Sequence, residues 1–115
     1  MISKKLANHL PSTFGVYLFK RKNEILYVGK SINIKVRVLS HLKNALMDRK
    51  DFLIVNSSDS VKSRVTENEF KALLLESYLI KKYQPKYNAI CKDGKSYLYI
   101  KISIKENFPK LILYF

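Results

Sequence analysis

A chain of 115 residues has room for one compact core, and its 47% hydrophobic and 27% charged content, with three glycines and three prolines, excludes collagen-like and disordered classes. Against 9 acidic residues stand 22 lysines and arginines, a formal charge of +13 that is far more than solubility asks of a small domain. Nucleic acid is the best-fitting partner, because each phosphate contact by Lys or Arg releases condensed counterions, although a membrane surface or simple solvation would also suit such charge.

No apolar run approaches the roughly 20 residues of a membrane span, and the stretch from Met1 to Leu10 has no signal-like apolar region. The expectation is therefore a cytoplasmic, monomeric protein without membrane attachment, folding as a single domain over residues 1–115 with its core at about 10–104. The lone Cys91 can form neither an internal disulfide nor a multi-cysteine zinc site.

A leader with Leu6 and Leu10 ends at Pro11. Residues 15–20 and 24–29 are β-branched, aromatic or aliphatic, and the gap Arg21-Lys22-Asn23 reads as a hairpin turn. With three residues in the loop and Asn23 left-handed, Lys20 opposes Glu24, Tyr17 opposes Tyr27 and Gly15 opposes Gly29. Both phenols then share a face with the two glycines.

A helix follows, N-capped by Asn33, with Ile34, Val38, Leu42 and Ala45 on one stripe and Arg37 and His41 on the next, ending near Asp48. Residues 51–59 read as a helix end or a strand, and Val61–Thr66 as a short third strand. Thr66-Glu67-Asn68-Glu69 has the form of a capping box opening a helix that runs to Tyr83, just before Pro85. Beyond Pro85 the chain reads as irregular around Tyr87 and Asn88, with a turn at 92–95 and a terminal alternating strand at 96–104.

Glu76 stands out because its neighbours at i−4, i−3, i+3 and i+4 are Ala72, Leu73, Leu79 and Ile80. A carboxylate on a core-facing stripe needs a cation, either a structural Lys or Arg partner or a hard divalent metal bound through one carboxylate, waters and phosphate oxygens. Tyr17 and Tyr27 are common strand residues, yet at a basic, metal-charged site a phenol can give up its proton and act as a base on water. Lys30, Arg37 and His41 supply basic surroundings: Arg37 offers a rigid fork to phosphate, and His41 can relay a proton or orient a phosphate. Lys81, Lys82, Lys86, Lys92 and Lys95, interleaved with Tyr83, Tyr87 and Tyr97, suit phosphate contact and base stacking. No glycine-rich phosphate loop, nucleophile elbow or paired acidic cluster is present in the sequence, which argues against ATPase, triad-hydrolase and polymerase-like chemistry.

Gly15-Val16-Tyr17, then Tyr27-Val28-Gly29, then Lys30, Arg37, a helical Glu76 and Asn88 resemble the GIY-YIG nuclease family. The runs from Leu10 to Leu18, Leu26 to Lys30, Ala72 to Glu76 and Leu79 to Asn88, with Lys95-Ser96-Tyr97 and Phe108 to Leu111, are most similar to the N-terminal nuclease domain of the bacterial UvrC excinucleases. That resemblance implies an α/β (α+β) domain with a small three-stranded antiparallel sheet flanked by helices. It also implies metal-dependent hydrolysis of one DNA strand, as in nucleotide excision repair. Glu76 would hold one divalent cation, Mg2+ or Mn2+, and either Tyr17 or Tyr27 would help to activate water. Arg37 would stabilise the phosphorane-like charge, Lys30 would contact phosphate or tune a tyrosine, and Asn88 would support the site by hydrogen bonding. His41 stands where the UvrC pattern usually has tyrosine. DNA contacts are expected from Lys30, Arg37, Lys82, Lys86, Asn88 and Lys95, and excision-repair proteins are partners if the chain belongs to a longer one. The alternatives are a non-cleaving nucleic-acid-binding module and a nuclease for RNA or branched DNA.

Overall fold

Two strands rich in aromatic and β-branched residues, β1 (Gly15–Arg21) and β2 (Glu24–Ser31), pair as an antiparallel hairpin in a computed structural model that describes residues 2–91. The expected turn at 92–95, the strand at 96–104 and Lys95 lie outside the described residues. Before the hairpin comes a short α1 (Lys4–Ala7), and after it α2 (Ile34–Asn44) and α3 (Arg49–Ser57) lead into β3 (Ser60–Val65). β3 pairs antiparallel with β1 to give the sheet order β2-β1-β3, and α4 (Glu69–Tyr83) and α5 (Lys86–Cys91) complete the described chain.

Alternation along the central strand divides the core. Tyr17 and Phe19 join Ile34, Val38, Ile54, Val55 and Val61 on the face covered by α2 and α3, whereas Val16, Leu18 and Val28 pack with Ala72 and Leu79 under α4. The architecture is thus a three-stranded antiparallel sheet between helices, as expected.

Its register differs from the sequence reading. Tyr17 faces Gly29, Phe19 faces Tyr27 and Gly15 faces Ser31, with a bulge that breaks the register between Phe19 and Lys20. A two-residue turn in which Lys22, not Asn23, is left-handed at φ 55° shifts the pairing by one position, and the bulge shifts it by one more. A tertiary contact holds it, since Asp59 Oδ2 accepts from the Lys22 N–H at 3.0 Å and the Asp59 N–H donates to the Lys20 carbonyl at 2.8 Å. The bulge also lets neighbouring Leu26 and Tyr27 both contribute to the α2 side of the core.

Asn33 caps α2 as expected, its side chain accepting from the Val36 N–H. The helix ends at Asn44 rather than near Asp48, because Asp48 is itself the N-cap of α3 and accepts from the Asp51 N–H at 2.9 Å. The ambiguous segment at 51–59 is therefore mostly helix. α4 begins two residues later than the capping-box reading: Asn68 is its N-cap, while Thr66 Oγ1 donates to the Asn68 carbonyl. Gln84, left-handed at φ 45°, closes α4 ahead of Pro85. The chain around Tyr87 and Asn88 is not irregular but forms α5, and Tyr87 is buried there with its hydroxyl 3.0 Å from Ser57 Oγ.

Candidate active site

Tyr17 is fixed on several sides. Its ring lies over Gly29, where a Cβ would overlap Tyr17 Cζ and Oη, so the bare backbone at position 29 makes the space the phenol occupies. Edge-on contact with Phe19 at 5.9 Å and ring contacts with Tyr27 at 6.3 Å and His41 at 5.4 Å enclose it. Tyr17 is 1% exposed and His41 0% exposed, while Tyr27, Arg37 and Glu76 are half-buried.

The phenol oxygen lies 2.7 Å from His41 Nε2, and His41 Nδ1 lies 2.7 Å from Asp51 Oδ1. An ionised carboxylate only accepts, so His41 carries a proton on Nδ1, and a neutral imidazole then presents a bare Nε2 to the Tyr17 O–H. Asp51, 6% exposed near the start of α3, has no part in the sequence reading. The Asp48-x-x-Asp51 spacing marks a helix start, but its link to His41 appears only once α3 is laid against α2.

Burial pushes the Tyr17 phenol above its ordinary range, with the Tyr27 and Glu76 charges adding to the rise; the nearby Arg37 guanidinium pulls the other way. Burial likewise lowers the His41 imidazole, opposed by its hydrogen bond to Asp51 and aided by Arg37 and Lys50. The sign for stability follows directly. The unfolded imidazole takes up a proton at a higher pH than the folded one, so the contribution from neutral His41 is complete above about pH 6.5 and is lost as pH falls below it. Melting temperature is expected to fall between pH 7 and 5, and a folded His41→Gln variant should show a flatter profile by circular dichroism.

Glu76 occupies the α4 stripe of Ala72, Leu75, Leu79 and Ile80 against the sheet, and its charge reaches Tyr17. Among the described residues no three His, Cys, Asp or Glu side chains cluster to hold a metal, so a cation here would rely on Glu76, waters and substrate oxygens. A half-buried carboxylate beside a basic, phenol-lined site fits a hard divalent ion of that kind. Lys30 lies apart from Tyr17, bordering a depression with Glu69, Phe70 and Leu73 on the α4 side of the sheet. Asn88 is 5% exposed and spends its side-chain amide on one residue: Oδ1 accepts from the Val28 N–H at 2.8 Å and Nδ2 donates to the Val28 carbonyl at 2.9 Å. This closes the outer edge of β2 between Tyr27 and Gly29, so the side-chain amide is turned to the strand. Lys82 and Lys86 are exposed, with Lys82 Nζ 5.6 and 5.2 Å from the Tyr78 and Tyr83 ring centres and Lys86 Nζ 5.3 Å from Tyr87.

The family model for the UvrC-like GIY-YIG domain matches residues 13–89, a span that includes Tyr17, Tyr27, Lys30, Arg37, His41, Glu76 and Asn88. The chain belongs to the UvrC-like GIY-YIG family. It is 43% identical over 106 residues to the UvrABC system protein C of Desulforudis audaxviator, covering 91% of this chain and 17% of that protein. It is 45% identical over 112 residues to the UvrABC system protein C of Caldicellulosiruptor saccharolyticus, covering 96% of this chain and 18% of that protein. The chain thus spans under a fifth of the length of these curated relatives.

Among solved structures, the GIY-YIG N-terminal endonuclease domain of UvrC from Thermotoga maritima, bound to its catalytic magnesium, matches with a TM-score of 0.70 and 38% identity. That match covers 76% of this chain and 98% of the Thermotoga domain. Variants of the Thermotoga domain with single tyrosine-to-phenylalanine changes also match, and the three tyrosines changed are separated by ten and then fourteen residues. Tyr17, Tyr27 and His41 have the same separations, so this UvrC-like GIY-YIG domain carries an imidazole at the third of those places.

Proposed function

We propose that this chain is a magnesium-dependent endonuclease domain that hydrolyses a phosphodiester bond in one strand of DNA, serving nucleotide excision repair as the nuclease part of a UvrC-type protein. The carrying observation is the convergence of Tyr27, Arg37 and Glu76 on the buried Tyr17, three groups gathered around one phenol within a GIY-YIG fold. The reading also takes residues 1–115 as one monomeric, cytoplasmic domain; no helix among the described residues is long and apolar enough to cross a membrane.

In this proposal Glu76 holds the cation, which supplies positive charge to the scissile phosphate and to bound water; Mn2+ would substitute for Mg2+. Tyr27, half-buried where Tyr17 is closed off, is the phenol that meets the attacking water. Arg37 places a fixed positive charge on the phosphorane-like oxygens and lies near Tyr17. His41 keeps Tyr17 in place from below, and Asn88 holds the strand that carries Tyr27. Lys30, Lys82 and Lys86 guide the strand backbone.

Supercoiled plasmid separates this reading from a binding module that never cuts. With magnesium the wild-type protein is expected to yield nicked circles before linear DNA, and in EDTA to bind without nicking. Salt-sensitive binding with no nicking in either cation would favour the binding module, while faster cutting of matched RNA or junction substrates would move the substrate class.

A further inference from the structure

Three hydrogen-bonding groups lie in series beneath the site, and the last is a carboxylate that nothing above assigns. We propose that Asp51 is a positioning residue that sets the direction of this chain: it holds the Nδ1–H tautomer of His41, so that Nε2 accepts the Tyr17 O–H and the phenol oxygen stays an acceptor. The inference rests on the nuclease reading only for its consequence in cutting.

The geometry carries it. Both links are 2.7 Å, both lie inside the fold, and Tyr17, His41 and Asp51 come from three elements, β1, α2 and α3. A phenol has one proton, and here it is committed to His41. The chain therefore runs from Tyr17 to His41 to Asp51, each group donating to the next, with the Arg37 charge near its phenol end. Reversing the tautomer turns Nε2–H toward the phenol oxygen, and the phenol proton must then point elsewhere. Asp51 and Lys50 from α3, Arg37 from α2, Tyr17 from β1 and Tyr27 from β2 are the titratable or charged neighbours of the imidazole.

A structural ion pair would place the same two groups together but would be indifferent to which imidazole nitrogen is bare. The Asp51→Asn amide keeps the shape, yet it can donate to Nδ1 and favour the reversed tautomer. Nitrogen-15 NMR of histidine-labelled protein reads the tautomer directly, and the wild type alone suffices for the first arm. The expected spectrum at pH 7 shows neutral His41 with Nδ1 protonated and Nε2 bare. In folded Asp51→Asn protein the Nε2–H tautomer should gain population, and nicking should fall on the order of 100-fold. A wild-type His41 protonated on Nε2, or on both nitrogens, overturns the proposal. So does folded Asp51→Asn protein with an unchanged tautomer, or with wild-type nicking. Because the spectrum does not depend on cutting, a wild type that never nicks would defeat the nuclease reading while the tautomer still decides the role of Asp51.

Discussion

Gly29→Ala is expected to unseat Tyr17 and to destabilise the fold by about 2–4 kcal/mol, combining an overpacked core position with the loss of one buried hydrogen bond. An added Cβ would overlap Tyr17 Cζ and Oη, and the ring has little room to retreat, packed as it is on Phe19 and His41. Either β2 withdraws from β1 or the hydroxyl leaves His41 Nε2. The first weakens the pairing that Asn88 holds from outside, and the second ends the chain to Asp51. Urea denaturation of both proteins measures the effect. A change under about 0.5 kcal/mol, the scale of an ordinary surface substitution, would mean that the close approach is not what position 29 requires.

The second large effect is at Glu76. Glu76→Gln keeps the side-chain shape on the stripe of Ala72, Leu75, Leu79 and Ile80 but removes the charge. If that carboxylate holds the cation, nicking falls on the order of 1,000-fold or more, as when a dominant electrostatic contact to the transition state is lost. The rise in melting temperature that saturating magnesium gives the wild type should disappear with it. If Glu76 instead serves a structural ion pair, the variant is less stable, still responds to magnesium and still cuts. Melting curves with and without magnesium, read beside nicking rates, distinguish the two.

Local signals carry much of this molecule. Alternation places β1, β2 and β3, the Asn33 cap places α2, and the apolar neighbours of Glu76 single it out without any knowledge of the fold. What the sequence hides depends on contacts between distant segments. The tight turn is held by Asp59 reaching the Lys22 N–H, 37 residues away, and turn and bulge together put Gly29 rather than Tyr27 across from Tyr17. The sequence offers Asn88 both as a hydrogen-bonding support and as a DNA contact, and only the fold shows its amide meeting Val28, 60 residues earlier in the chain, at the edge of the sheet. The two tyrosines are indistinguishable in sequence because their difference is one of burial: Tyr17 is sealed beneath the site and Tyr27 is half-open. A lone helical histidine usually reads as polar surface, and only the meeting of α2, α3 and β1 shows His41 enclosed between a phenol and a carboxylate.

The most direct test of the central claim, a single-cation nuclease built around Glu76, is the rate of plasmid nicking across a magnesium titration that starts in EDTA. The account predicts no nicking in EDTA and a hyperbolic rise that saturates as one site fills. Nicking that persists in EDTA, or none at saturating magnesium by folded, DNA-bound protein, would contradict it.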